Sequence, residues 1–186
     1  MLNKLDKLNR KTYDFDTKTK LCIYLLTFLI GSVAGYIYEI IYYLVIDNEL
    51  VNRGFLYGPY LPVYGFGAVF MLWILKRFKK DPLVVFLLAM LITGIIEYLT
   101  GYLMFNIYHR SWWDYTGAFL NINSYVCLRS ILTFGIGGLI LIYVIDPIVC
   151  KTIEELDSNK CLLAVFLGIF FIFIDLILTL TYINTL

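Results

Sequence analysis

A chain of 186 residues that is 61% hydrophobic and only 16% charged, with mean hydropathy +0.80, carries more apolar surface than one soluble core absorbs. Its formal net charge of +1, from 15 basic and 14 acidic residues, excludes a broad basic face for nucleic acid and makes the placement of charge the useful quantity. The class that remains is an all-α polytopic membrane protein whose first partner is the lipid bilayer.

In chain order, residues 1–20 form a charged cytoplasmic tail, with Asp6, Asp14 and Asp16 interleaved among six basic residues. The tail reads as a topology-setting segment or a short interfacial helix. It has neither an apolar core nor a small-residue cleavage pattern, so the first span itself directs insertion. Residues 21–186 then form the transmembrane bundle. Apolar runs place about five spans at residues 21–46, 61–75, 83–105, 125–145 and 161–182. All are expected to be helices, because backbone in lipid must satisfy its own hydrogen bonds and unbroken apolar runs do not suit the alternating strands of a barrel.

Twelve of the 15 basic residues fall on one side of this arrangement: those of the tail, Lys76, Arg77, Lys79, Lys80, Lys151 and Lys160. The positive-inside rule then sets the N-terminus in the cytoplasm and the C-terminus outside, in a cell (inner) membrane. The four cysteines, Cys22, Cys127, Cys150 and Cys161, show no metal spacing and read as packing residues. His109 is the only histidine and reads as an interfacial loop residue, so no metal and no cofactor are expected.

Ionisable residues inside spans carry the functional signal, because each costs several kcal/mol unless it is paired or faces a polar interior. Glu39 lies seven residues before the end of the first span and Glu97 eight before the end of the third, which puts both ~10–12 Å below the outer interface. Arg129 enters the fourth span at a similar depth, so the three could converge; Asp175 is deeper and alone. Ser32, Gly35 and Glu39 share one helix face, and Gly94, Glu97 and Gly101 share another, with Gly31 and Gly35 forming a GxxxG pair. Two readings stay open: an ion-paired lock of the bundle, and a carboxylate site for a cation, a proton or a polar substrate.

The connection from Asn52 to Gly67, NRGFLYGPYLPVYGFG, is too apolar for a solvated loop, and Gly54, Gly58, Pro59 and Pro62 break helix geometry within it. It is expected to dip into the membrane as a re-entrant outer segment. Tyr57, Tyr60 and Tyr64, with Tyr108, Trp112, Trp113 and Tyr115 of the second outer connection, also suit an interfacial aromatic belt, and both readings can hold together.

The stretches NRGFLYGPYLPVYGFGA, IEYLTG, WWDYTGAFLNI and CLRS, in that order, resemble the CmpB-type family of ABC-transporter permeases, which are small multi-pass membrane proteins. The resemblance covers about residues 31–138, and NRGFLYGP is its most specific part. Matched position by position, it points to Glu39, Asn52, Arg53, Gly54, Tyr57, Gly58, Pro59, Tyr64, Gly65, Glu97, Gly101, Trp113, Asp114, Tyr115, Asn121 and Cys127. Where the family carries a Gly-Arg pair ahead of the Cys-Leu, this chain has Ser124 and Tyr125. Arg129, four residues after Tyr125, would restore the charge on the same helical face.

A weak repeat pairs Glu39, Asn52 and Tyr64-Gly65-Phe66-Gly67 with Glu97, Asn121 and Phe134-Gly135-Ile136-Gly137. It is the pattern of a parallel-repeat transporter, or a chance likeness among apolar helices. The resulting expectation is a transporter or permease subunit whose substrate or ion pathway uses Glu39, Glu97, Arg53, Arg129, Asn52, Tyr57, Tyr64, Asp114 and Asn121. With no GxxxxGK[ST] motif, an ABC role calls for a separate ATPase subunit, and so few spans call for a homo-oligomer. The competing expectation is a non-transporting, lipid-interacting subunit that stabilises a partner. An intramembrane enzyme is the weakest reading, since no nucleophile–base pair and no catalytic residue is recognisable.

Overall fold

The computed structural model describes residues 15–46, 48, 54–111, 113–156 and 158–183. Asn52, Arg53 and Trp112 lie outside the described residues.

Among the described residues the first helix, α1, is Thr17–Ile46, so it starts inside the charged tail and takes Lys18 and Lys20 into its first turn. Asp16 explains the early start: its carboxylate accepts the Thr19 N–H at 3.1 Å, as an N-cap does. The Thr19 bonds hold the Asp16 carboxyl below the usual carboxylate range. α2 is Pro62–Leu75, only 14 residues and about 21 Å of helix, followed by a 3-10 turn at Lys76–Phe78. α3 is Pro82–Tyr108. Asp81 caps it through the N–H groups of Leu83 (3.0 Å) and Val84 (3.3 Å), and Pro82 sits where its missing N–H costs nothing.

α4 is Leu128–Ile140, continued by a π-helical stretch, Leu141–Ile145, into α5, Asp146–Glu155. This fourth span differs from the expected 125–145 at both ends. Residues 122–127 are not helical: Ile122 and Val126 pair as an antiparallel bridge and Cys127 is extended (φ −142°, ψ 163°). Tyr125 therefore shares no helix with Arg129, and the expectation that Arg129 replaces a charge on Tyr125's helical face is overturned. Beyond residue 145 the helix continues past Pro147, which has no N–H to offer the carbonyl of Tyr143, and the wider π turns fall immediately before this break. α6 is Ser158–Ile183.

Among the described residues, four helices are long and apolar enough to cross a membrane: Thr17–Ile46, Pro82–Tyr108, Leu128–Glu155 and Asn159–Tyr182. α2 is the short fifth. Large apolar side chains such as Phe166, Phe170, Phe171 and Phe173 of α6 stand exposed, as they must on a helix bathed in lipid. The protein is an all-α, multi-pass membrane protein.

The chain divides into two compact units. The first comprises Met1–Phe70 and Ile145–Leu186, and the second Met71–Val144. In the first, α1 packs on α5 and α6, with Cys22, Ile23, Thr27, Val149, Cys150 and Val165 buried. Cys22 and Cys161 are joined in a disulfide that ties α1 to α6, with Cα atoms 6.8 Å apart, so these two are not the simple packing residues expected. Sequence could not pair them because 139 residues separate them. Cys127 and Cys150 are buried thiols outside the disulfide. In the second unit α3 packs on α4, around Val85, Ala89, Leu72 and Leu75.

Candidate functional site

Within the first unit, the connection ahead of α2 folds back along α1. The Leu61 N–H donates to the Ser32 carbonyl at 2.9 Å, and Ser32 lies 14 residues, about 21 Å of helix, from the end of α1 at Ile46. Pro62 thus begins α2 at mid-height of α1, which is why α2 is short. Irregular backbone at that level must find protein partners for its polar groups. Asp175 of α6 supplies them: it accepts the N–H of Tyr57 (3.1 Å) and of Gly58 (2.8 Å), the Tyr60 hydroxyl (2.5 Å) and the Thr179 hydroxyl (3.2 Å). Asp175, 8% exposed, is therefore not alone as the sequence suggested, but saturated. A side chain at Gly58 would overlap the Tyr60 ring and so displace the hydroxyl that bonds Asp175.

Glu39, half-buried on α1, accepts a hydrogen bond from the Tyr64 hydroxyl of α2. The approach depends on missing side chains. A Cβ at Gly35 would overlap the Tyr64 ring, one at Gly31 would stand 2.7 Å from the Ala68 Cβ, and one at Gly65 would overlap the Ser32 hydroxyl. These contacts give the GxxxG pair its purpose, a close crossing of α1 and α2.

In the second unit Glu97 of α3 is held by two hydroxyls. Ser130 of α4 lies 2.6 and 2.5 Å from its two oxygens, and Tyr115 donates to Oε1 at 2.7 Å. Ser130 is buried, whereas its neighbour Arg129 is exposed in the first turn of α4. Tyr115 is delivered by a closely bonded outer connection. The Tyr115 N–H donates to the Ser124 carbonyl (3.0 Å), the Trp113 indole donates to the Tyr125 carbonyl (2.8 Å), and the hydroxyls of Thr116 and Ser124 meet at 2.7 Å. Asp114 accepts from the Thr116 amide (2.8 Å) and hydroxyl (2.6 Å), and Asn121 bonds the Ala118 carbonyl and the Ser124 amide. Both shape the connection rather than reach Glu97. The Thr116 bonds hold the Asp114 carboxyl below the usual carboxylate range. Burial first, and then the Glu97 charge, pushes the Tyr115 phenol above its ordinary range, which keeps it a donor.

Of the sequence-predicted site residues, Glu39 and Tyr64 come together in the first unit, and Glu97, Asp114, Asn121 and Arg129 lie in the second. Each carboxylate finds its partners inside its own unit. Tyr57 contributes its backbone N–H while its side chain is exposed. Sequence reasoning missed Ser130, Tyr60 and the function of Asp175. An intramembrane Asp was visible in the sequence, but its partners in the connection are more than 110 residues away.

Among the described residues no group of three His, Cys, Asp or Glu is placed to hold a metal ion. No curated protein and no solved structure matches the chain. Residues 26–180, most of the chain and nearly all of its helical bundle, match one family of membrane transporter-type proteins: the chain belongs to the CmpB family described as "Putative ABC-transporter type IV".

Proposed function

We propose that the protein is a permease subunit in which Glu39 of one unit and Glu97 of the other each serve as a polar group for the transported substrate or ion. The observation that carries this reading is that each of these membrane-level carboxylates is partnered by neutral hydroxyls, Tyr64 in one unit and Ser130 with Tyr115 in the other. A structural ion-pair lock would set a cation against each of them instead. Arg129 and the connection bearing Asn52, Arg53 and Tyr57, with Asp114 and Asn121 shaping the second connection, complete the candidate pathway. The distribution of Lys and Arg supports an inner-membrane setting with the N-terminus in the cytoplasm and the C-terminus outside. With no phosphate-binding loop of its own, the subunit works as a homo-oligomer with a separate ATPase docked on the Lys76–Lys80 segment.

Gentle purification of the tagged protein with mass spectrometry of everything that accompanies it tests the assembly. A stoichiometric ATP-binding subunit is expected, and a clean homodimer carrying only lipid defeats the ABC assignment. Glu39→Gln and Glu97→Gln are then expected to abolish transport by the assembly without loss of folded protein. A second reading, a lipid-interacting subunit that stabilises a partner, is favoured by the exposed Tyr57, Phe119, Leu120 and Ile122 on the outer connections. Under it both substitutions alter assembly and no flux is lost.

A further inference from the structure

The two units repeat one piece of packing in register. In the first, Gly65 of α2 is set against Phe28 and Ser32, eleven and seven residues before Glu39. In the second, Gly135 of α4 is set against Phe86 and Met90, eleven and seven residues before Glu97. Three residues beyond each of these glycines the match continues: Ala68 meets Gly31 and Gly138 meets Ala89, each eight residues before its glutamate. Chance likeness among apolar helices does not reproduce three cross-helix contacts at identical spacing from a carboxylate. α1 with α2 and α3 with α4 therefore pack alike in this stretch, with Glu39 and Glu97 at the same spacing from the matched contacts.

A hydroxyl meets the carboxylate in both copies, though from different places: Tyr64 corresponds to Phe134, and the second copy uses Ser130 and Tyr115 instead. A hydroxyl both donates and accepts, so Tyr64, Ser130 and Tyr115 satisfy a carboxylate in its ionised form and, by turning their own O–H away, its protonated form. A lysine or arginine partner would allow only the first. Ser130 lies within 2.6 Å of both Glu97 oxygens, so a neutral hydroxyl stays in hydrogen-bond contact with the carboxyl in either form. Taking up a proton also removes the charge that is costly at membrane depth.

We infer that Glu39 and Glu97 are two copies of one reversible proton-binding site, each loaded from water and each held by the hydroxyls of its own hairpin. The inference deepens the permease reading by naming the proton as the ion that the carboxylates carry. Of the ionisable groups on elements packed against α3, Tyr115 and the Cys127 thiol lie near the Glu97 site, Arg129 is exposed on α4, and Lys76 and Arg77 sit in the turn that contacts the helix. Against α1 stand Tyr64 at Glu39, Asp175 committed to the connection, and Asp146, Lys151, Glu154 and Glu155 of α5, with Asp146 accepting from Cys150.

The test uses dicyclohexylcarbodiimide, an apolar reagent that adds to protonated carboxyl groups, on the full chain in phosphatidylcholine vesicles. Adducts are mapped to peptides by mass spectrometry, so the wild-type protein suffices even where a glutamine variant fails to fold. Adducts on both Glu39 and Glu97 are expected, falling about tenfold per pH unit once the carboxyls ionise. Tyr64→Phe should shift the pH dependence at Glu39 alone, and Ser130→Ala that at Glu97 alone. Absence of adducts at every pH, labelling of one glutamate only, or labelling that ignores pH but is blocked by sodium or potassium would overturn the inference. Because labelling reads protonation directly, a failure to find transport or an ATPase leaves this result standing.

Discussion

At the residue scale, Asp114 shows how an exposed carboxylate can support a half-buried one without touching it. Its bonds to Thr116 fold the turn that precedes Ser124, and the same connection carries Tyr115 down to Glu97. Its carboxyl is held below the ordinary value of 3.8, so its contribution is complete above that value and disappears as the pH falls through the lowered one. In a variant whose only tryptophan is Trp113, the indole emission is expected to hold steady down to about the ordinary carboxylate pKa and to shift below it. Asp114→Ala should show the acid spectrum at neutral pH, and Asp114→Asn, which keeps an acceptor for the turn, should not. Asp175 is read in the same way. Asp175→Ala leaves the amides of Tyr57 and Gly58 without acceptors, at a cost of about 1–3 kcal/mol for each group that stays buried. A cysteine placed at Phe55 is then expected to react faster with a water-soluble maleimide than in the parent protein, and an unchanged rate would show that Asp175 does not hold the connection.

At the scale of elements, the hairpin of α1 and α2 depends on glycines whose neighbours leave no room for a side chain. Gly35→Ala places a methyl group in the Tyr64 ring and is expected to lower the unfolding midpoint in detergent, by the equivalent of about 1–3 kcal/mol, and to disturb the Tyr64–Glu39 bond with it. Gly67→Ala is the control. It lies in the same hairpin on α2, nothing stands within 4 Å of a Cβ built there, and helix propensity favours alanine by about 1 kcal/mol, so the midpoint should stay level or rise. The spacing of glycines around each glutamate was visible in the sequence. Which of them meet another helix was not, because Gly65 and Gly67 sit in the same run and differ only in what lies opposite.

At the scale of the whole molecule, the Cys22–Cys161 disulfide joins α1 to α6, while Cys127 and Cys150 remain thiols. Alkylation of the denatured protein is expected to modify two cysteines before reduction and four after it, and four in both conditions would show the pair to be reduced in its native membrane. The matched packing of the two hairpins belongs to this scale too. In sequence it was a faint likeness between Tyr64-Gly65-Phe66-Gly67 and Phe134-Gly135-Ile136-Gly137, and the contacts at matched spacing give it physical content.

By itself the sequence determined the membrane class, the helices and their order, the two glutamates, and the motifs by which the chain was recognised as resembling its family. Those properties are local: an apolar run long enough to cross a bilayer, or a charge stranded within one, is legible wherever it stands. Only the tertiary structure decided that α2 starts at mid-height of α1, that Asp175 holds the connection before it, that Ser130 rather than Arg129 meets Glu97, and that Cys22 joins Cys161. Each of those depends on groups brought together from distant parts of the chain, and apolar spans leave the choice of neighbour open because lipid suits any apolar face equally well.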